Sequence, residues 1–324
     1  MPEHAREGTG QRVNFPLLPF SYIVGQAELR RMLAVAYVMG SSVGGVLISG
    51  ERGTAKSTSV RSFAYMMDGW IPTTLPINAT DDRVVGGWDI DSLMSGNPQL
   101  KKGLLQLASD TGFLYIDEVN LLDDHLVNLI LDVVSTGVLV VERDGIDDVR
   151  LDVSFMLIGT MNPEEGSLRP QLLDRFGLFV AVEPEEPVDI RTKILRTVLR
   201  FDIERNQPRS QWIDDGRKGD LQTRARINAA KKAVSQVRMT DETMELCARV
   251  AAEFEVVGHR AEIVMARASM AVTALAGRRE TTHRDVRAIA RAAITHRRRD
   301  AAYMETFEWS DKDQDLLNQL IPEE

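Results

Sequence analysis

A single cysteine, Cys247, stands among 324 residues, which excludes an intrachain disulfide framework and suits a reducing compartment. Its expected role is that of a small buried apolar residue on a helix. No apolar run approaches the roughly 18 residues that a membrane-spanning helix needs. The opening stretch, MPEHAREGTGQ, lacks the apolar core of a secretory signal, so the expected location is cytoplasmic, with no membrane partner. Five histidines are scattered without ligand spacing or a companion cysteine cluster, which argues against a structural zinc site.

The remaining composition is that of a globular protein: 44% apolar and 27% charged residues. The length suggests two domains on a prior of about 150 residues each. The formal net charge of −9 hides an asymmetry. From Thr223 to Asp300 there are 16 Lys and Arg against 9 Asp and Glu, leaving 23 against 39 elsewhere. A basic C-terminal part beside an acidic remainder suits either head-to-tail contact between copies or two solvated faces.

The chain is organised around Val46 to Ser57, VLISGERGTAKS. An apolar run reads as a buried strand, followed by a glycine-bounded loop ending in Lys-Ser and then by a helix. Such a loop turns its amides inward around phosphates, and the helix start adds a positive dipole end. The nucleotide-binding residues expected are therefore Gly50, Glu51, Arg52, Gly53, Thr54, Ala55, Lys56, Ser57 and Thr58. Lys56 is expected at the β- and γ-phosphates and Ser57 on Mg²⁺. Gly53 is placed where a positive φ is needed. Ala55 stands where this pattern usually has glycine, beside the helix start, where a methyl group is expected to be tolerated.

The second motif is Phe113-Leu114-Tyr115-Ile116-Asp117-Glu118, a central-strand pattern with two carboxylates at its C-terminal end, where open α/β sheets place ligands. Asp117 is expected to hold Mg²⁺ through water, and Glu118 to polarise the attacking water. The third motif, Ser154 to Val180, begins as another buried strand ending near Thr160 and Asn162. The amide of Asn162 can hold the attacking water or the γ-phosphate. Arg175, in Leu-Leu-Asp-Arg-Phe-Gly, suits an arginine finger reaching a neighbour's nucleotide, with Arg169 as its rival.

Other segments are read more coarsely. Ile23-Val24-Gly25-Gln26 precedes a helix bearing Leu29, Leu33, Ala36 and Tyr37, and either packs on a base or forms ordinary core. LPINATDD reads as a strand with a polar end. Glycine breaks at Gly86-Gly87 and Gly96-Asn97 suggest a projecting insertion with a helical segment around Lys102 to Ala108. Leu122, Leu126, Leu129 and Val133 form one face of a helix, and VLVVERDGIDDVRLDV reads as a hairpin turning at Asp144-Gly145. Leu246, Val250 and Phe254, then Ile263, Arg267 and Met270, recur at helical spacing. Arg260, after Gly258 at a helix start, could point back at the γ-phosphate. Arg297-Arg298-Arg299 reads as a solvated, dipole-compensating helix end. No aromatic stacking residues accompany it, and nucleic acid is not the expected partner.

Four segments, IVGQ, GERGTAKS, NATDDRVVGG with FLYIDEVNLLDDHLVNLILD, and IGTMNPEEGSLRPQLLDRFGL, resemble the ATPase subunit I of magnesium chelatase, within the AAA+ superfamily. The resemblance runs densely from Pro19 to Val182 and resumes over Val257 to Ile263. Two departures are Ala55, where glycine is usual, and a short Asp68–Ile77 stretch in place of a longer cysteine-bearing one. The resemblance implies ATP and Mg²⁺ as cofactors, with Lys56 and Ser57 at the phosphates, Asp117 and Glu118 at metal and water, and Asn162 as sensor 1. It further implies Arg175 as finger and Arg260 as sensor 2. The implied partners are copies of the chain in a hexameric ring, a subunit with an integrin-I (VWA) domain, and a large chelatase subunit. The implied work is metal insertion into a tetrapyrrole, or related metal-cofactor maturation.

The expected architecture is an AAA+ P-loop NTPase domain, a doubly wound parallel α/β sheet, followed by an all-α helical lid. Its expected parts are an N-terminal tail over 1–14, the ATPase domain over 15–200, a linker over 201–222, the lid over 223–300 and a C-terminal tail over 301–324. That tail is read as a short docking helix or a frayed end. Two other readings stand beside this one. A helicase-type motor shares the Ala-Lys-Ser ending, though the acidic ERDGIDD hairpin disfavours it; the other is a nucleotide-gated scaffold for an integrin-I-like partner.

Overall fold

The computed structural model describes residues 16–88, 92, 94–95, 100–143, 146–299 and 307–322. The tail over 1–14, the Gly96-Asn97 break and the Asp144-Gly145 turn lie outside these residues.

A 3-10 turn over Phe20–Tyr22 leads into helix α1 (Ala27–Met39), strand β1 (Val46–Ser49) and helix α2 (Lys56–Asp68). Strand β2 (Thr73–Leu75), helix α3 (Asp81–Val85) and the short strands β3 (Gly86–Trp88) and β4 (Leu100–Lys102) follow. Then come α4 (Leu104–Thr111), β5 (Phe113–Ile116), α5 (Asp124–Thr136), β6 (Val138–Arg143), β7 (Ile146–Asp152) and β8 (Met156–Met161). The short helix α6 (Pro170–Leu173) and β9 (Leu178–Ala181) complete the sheet-bearing part.

Five strands pair in parallel in the order β2-β5-β8-β1-β9. β1, β5 and β8 are buried along their whole length, because parallel strands joined by helical crossovers are covered on both faces. Alternate side chains divide between two cores. Val46, Ile48, Phe113, Tyr115, Ile158 and Val180 face α1 and α2, while Leu47, Leu114, Ile116, Leu157 and Phe179 face α4, α5 and α6. The first core holds edge-to-face contacts of Phe63 with Phe20 and Phe113, geometries that add roughly 0.5–1.5 kcal/mol each beyond area burial. Two antiparallel ribbons, β3-β4 and β6-β7, stand apart from this sheet.

The C-terminal part contains α7 (Val188–Glu204), α8 (Gln211–Ala233), α9 (Asp241–Glu253), α10 (Arg260–Leu275), α11 (His283–Ile294) and α12 (Asp311–Leu320). Leu246, Val250 and Phe254 are buried as the spacing predicts, in the same continuous core as α1 and α2. The buried face of α10 is offset from the expected one. Ala261, Val264, Met265, Ala268 and Ala271 point inward, while Ile263 is 49% exposed. Small residues let α10 approach its neighbours closely, so the face follows the alanines rather than the bulkiest side chains.

The stretch over 201–222, expected as a polar linker with a helical end, is helical over most of its length: α7 runs to Glu204 and α8 starts at Gln211. Its polar residues are there to hold the N-terminal segment. Asp220 accepts the Phe20 and Ser21 N–H groups at 3.1 and 2.7 Å, and Tyr22 stacks on Trp212 at 4.4 Å. Nor is the arginine run 297–299 a solvated feature throughout. Arg297 is 4% exposed, because it bonds backbone carbonyls of the sheet domain. The strand read over LPINATDD lies earlier: β2 ends at Leu75, the first residue of that segment, and Thr80 precedes α3. Within the C-terminal segment, α12 docks through buried Leu317 while Trp309 stacks on Phe254.

Candidate nucleotide site

Three sheet strands end at one cavity of about 490 Å³. β1 delivers the loop Arg52–Ala55 and the start of α2, β5 delivers Asp117 and Glu118, and β8 delivers Thr160, Met161 and Asn162. The first turn of α2 has no side-chain cap and no acidic residue, so its amides and dipole end are available to an anion. Lys56 Nζ donates to the Gly50 carbonyl and, at 2.6 Å, to that of Glu51. Burial lowers the pKa of this ammonium, against the pull of Asp117, Glu118, Glu165 and Glu51. Arg52 pairs with Glu165 at 2.5 Å and Glu118 at 3.4 Å.

Gly53 has φ +85, as its place in the loop predicts, with open space around it. Ala55 departs from expectation: with φ +61 it is left-handed itself, which costs a non-glycine residue about 1–2 kcal/mol. Glu118, at φ +54, is a second left-handed residue on the cavity wall, and such outliers gather at functional sites. Asn162 is 5% exposed and its side-chain oxygen accepts the Glu164 N–H at 3.3 Å.

An unforeseen hydroxyl ties the loop to the acidic strand. Tyr115 OH lies 2.9 Å from Ser57 Oγ and donates to Asp117 Oδ1 at 2.9 Å, and Thr160 Oγ1 donates to the same oxygen at 2.7 Å. Burial pushes the Tyr115 phenol up to about 12, so it stays a donor. A hydroxyl and a carboxylate sharing one hydrogen-bond partner form a hard-oxygen pair suited to Mg²⁺. Beside this cavity lies a second, about 460 Å³, sharing Arg52–Ala55 and Thr58 with it and walled by Tyr22, Ile23, Val24, Ile194, Leu195 and Val198. A polar cavity opening onto a largely apolar one matches a nucleotide's phosphates and base.

Arg175 and Arg260 do not line either cavity. They lie at the other edge of the sheet, just before β9, where Gly177 and Leu178 N–H groups bond the Gly45 carbonyl ahead of β1. The length of β1 alone separates that edge from the phosphate loop by about 13 Å. Arg175 pairs with Asp132 of α5 at 2.5 Å, and Arg260 donates to the Arg175 carbonyl at 2.9 Å. Arg169 pairs with Asp124 at 2.6 Å and is 76% exposed. Arg260, expected to point back at the γ-phosphate, stands at the start of α10 and bonds the segment ahead of β9, away from its own subunit's cavity.

The AAA domain family (dynein-related subfamily) matches residues 45–176, and the AAA lid domain family matches residues 244–320. An uncharacterized protein of Mycobacterium tuberculosis is 41% identical over 310 residues, which are 94% of this chain and 48% of that protein, so the chain spans about half its length. The magnesium-chelatase subunit ChlI of Olisthodiscus luteus is 35% identical over 337 residues, covering 96% of this chain and 98% of that one. This chain belongs to the magnesium-chelatase subunit I family of AAA+ ATPases. The crystal structure of an ATPase candidate from Cytophaga hutchinsonii has TM-score 0.63 at 18% identity, covering 93% of this chain and 90% of that one, and attests the fold.

As a subunit I family member the chain is an ATPase, which favours the motor reading over the helicase and scaffold alternatives. Among the described residues no helix is long and apolar enough to cross a membrane. Sequence reasoning missed Tyr115 and Thr160, although both had a signal: a hydroxyl two residues before each strand's acid or amide. It also missed the α7 residues of the apolar cavity, for which nothing in the local pattern points to a base.

Proposed function

We propose that this subunit binds ATP with Mg²⁺ and hydrolyses it at the boundaries of a hexameric ring, each site completed by a neighbour. The observation that carries this reading is the division of the constellation between two edges of one sheet. Lys56 and the α2 amides hold phosphates, and Ser57 and Asp117 hold Mg²⁺, which when bound neutralises phosphate charge. Glu118 polarises the attacking water and Asn162 orients it. Arg175 and Arg260, remote from their own cavity, serve the adjoining subunit's γ-phosphate.

The load we propose is metal insertion into a tetrapyrrole, or a related metal-cofactor maturation, driven through an integrin-I-domain subunit and a large chelatase subunit in the cytoplasm. Family membership and the want of any metal-ligand cluster among the described residues support placing chelation on another subunit. The deciding experiment mixes two inactive variants, Lys56→Ala and Arg175→Ala. Recovered turnover in the mixture is expected, since one kind of boundary then has an intact loop facing an intact arginine. A mixture as inactive as its parts sinks the shared-site reading. Glu118→Gln is expected to retain ATP and stop turnover, and stimulation by single-stranded DNA but not by an integrin-I-domain partner would overturn the proposed load.

A further inference from the structure

The segment carrying Arg175 is held by the C-terminal helices rather than by the sheet domain alone. Four successive carbonyls, those of Asp174, Arg175, Phe176 and Gly177, each accept a bond from a side chain in that part. Arg297 supplies most of them. It donates to the Asp174 carbonyl at 2.8 Å, to the Gly177 carbonyl at 2.9 Å, to the Phe176 carbonyl, and to the Asp174 carboxylate at 2.9 Å. A bond to the Ala293 carbonyl at 2.6 Å ties the same guanidinium to its own helix. His296, fully buried and stacked on Phe179, lies with Nε2 3.0 Å from the Phe176 carbonyl. Arg260 completes the set at Arg175 itself.

This clamp is rigid for physical reasons. The Arg297 side chain is 1% exposed, and a buried guanidinium is tolerable only with its donors satisfied. Burial lowers its pKa to about 10, against the pull of Asp174, so it stays charged at neutral pH. Burial, with Arg297 alongside, keeps His296 well below the usual imidazole range and therefore neutral. Gly177 admits no side chain, since a Cβ there would collide with the Val43 carbonyl. The segment is thus held at four carbonyls, with no room for a side chain at Gly177.

We infer that Arg297 is a positioning residue for Arg175: it couples the C-terminal helices to the finger segment, so that their displacement in one subunit re-aims the arginine offered to the next. This rests on the finger reading above. The chain's nucleotide then communicates outward by a short path. Its apolar cavity is walled by Leu195 and Val198 of α7; α7 touches α8, α8 packs on α10, and α10 packs on α11, the helix that leads into Arg297.

The test is steady-state ATP turnover of the full chain at saturating ATP and Mg²⁺, with the Kd for a fluorescent ADP analogue and the Tm measured alongside. Arg297→Lys keeps the charge but loses the planar fork. It is expected to lower kcat about 10- to 100-fold, the scale of a ~1 Å misplacement, with the analogue's Kd unchanged within about twofold. In an Arg175→Ala background the same substitution is expected to cause no further loss, because both act through one group. Full kcat in Arg297→Lys, or an equal loss in both backgrounds, overturns the inference. Should Arg297→Lys fail to fold, Asp174→Asn carries the test, its side chain being 44% exposed. A kcat loss confined to the Arg175-containing background is expected there, and unchanged kcat overturns the inference. Arg175→Ala with normal turnover removes the finger reading itself, whereas slow Arg175→Ala beside normal Arg297→Lys and Asp174→Asn removes only the coupling.

Discussion

The two edges of the parallel sheet are built in opposite ways. At the C-terminal edge, β1, β5 and β8 each end in residues that line one cavity. At the N-terminal edge the strands contribute little, and Arg260, His296 and Arg297 arrive from α10 and the end of α11. The first edge can bind a nucleotide by itself. The second lies away from its own subunit's cavity, and under the proposed ring the two edges would be complementary halves of one site.

Substitutions that separate the two edges sharpen this contrast. The largest effect is expected for Arg175→Ala: turnover falls by about 10³- to 10⁵-fold, the range for arginine fingers, while nucleotide affinity is retained. Equal losses in affinity and turnover would place Arg175 at its own subunit's nucleotide and break the comparison. Tyr115→Phe acts at the other edge. It removes the hydroxyl shared by Ser57 and Asp117, and the Mg²⁺ concentration for half-maximal turnover is expected to rise about tenfold. An unchanged Mg²⁺ dependence would make Tyr115 a packing residue only.

Asp285 tests the helical body that supports the second edge. Burial alone pushes its carboxyl pKa up, but bonds from Arg278, the Thr282 N–H and hydroxyl, and the Thr273 hydroxyl outweigh this and hold it below the usual range. A carboxyl depressed in the fold stabilises above about pH 4 and loses that contribution as pH falls through its folded pKa. Asp285→Asn is therefore expected to cost about 2 kcal/mol at neutral pH, a value reduced for the 40% exposure of Arg278. Denaturant titrations at pH 7 and at successively lower pH check it: the difference between the two proteins should shrink as the pH falls through the depressed carboxyl pKa. The smallest effect is expected at Ala55→Gly, a gain of about 1 kcal/mol from relief of the left-handed alanine. Unchanged stability would show that the loop already absorbs the methyl group.

Legibility followed sequence distance. The phosphate loop, Asp117-Glu118 and Asn162 were readable because each motif is a strand and the residues directly after it, and parallel strands put their C-terminal ends together. The helical face of Leu246, Val250 and Phe254 was readable from periodicity. Arg297 was misread because a charged run at a helix end is ordinarily solvated, and its carbonyl partners lie more than a hundred residues away. The polar run of α8 showed only a helical end in the sequence, because Asp220 answers to the backbone of Phe20 and Ser21, which local pattern does not reveal.

By itself the sequence determined the chemistry of nucleotide binding: a loop of small residues, a lysine, a hydroxyl and two acids, placed by strand and turn propensities that act over a few residues. Only the tertiary structure decided which way the remaining cations face. Arg175, Arg260 and Arg297 are all arginines near helix or strand starts or ends, indistinguishable by local pattern. Burial against particular carbonyls, and the length of a strand between them and the phosphate loop, separated the buried Arg297 clamp from Arg175 and Arg260, which stand away from their own subunit's cavity.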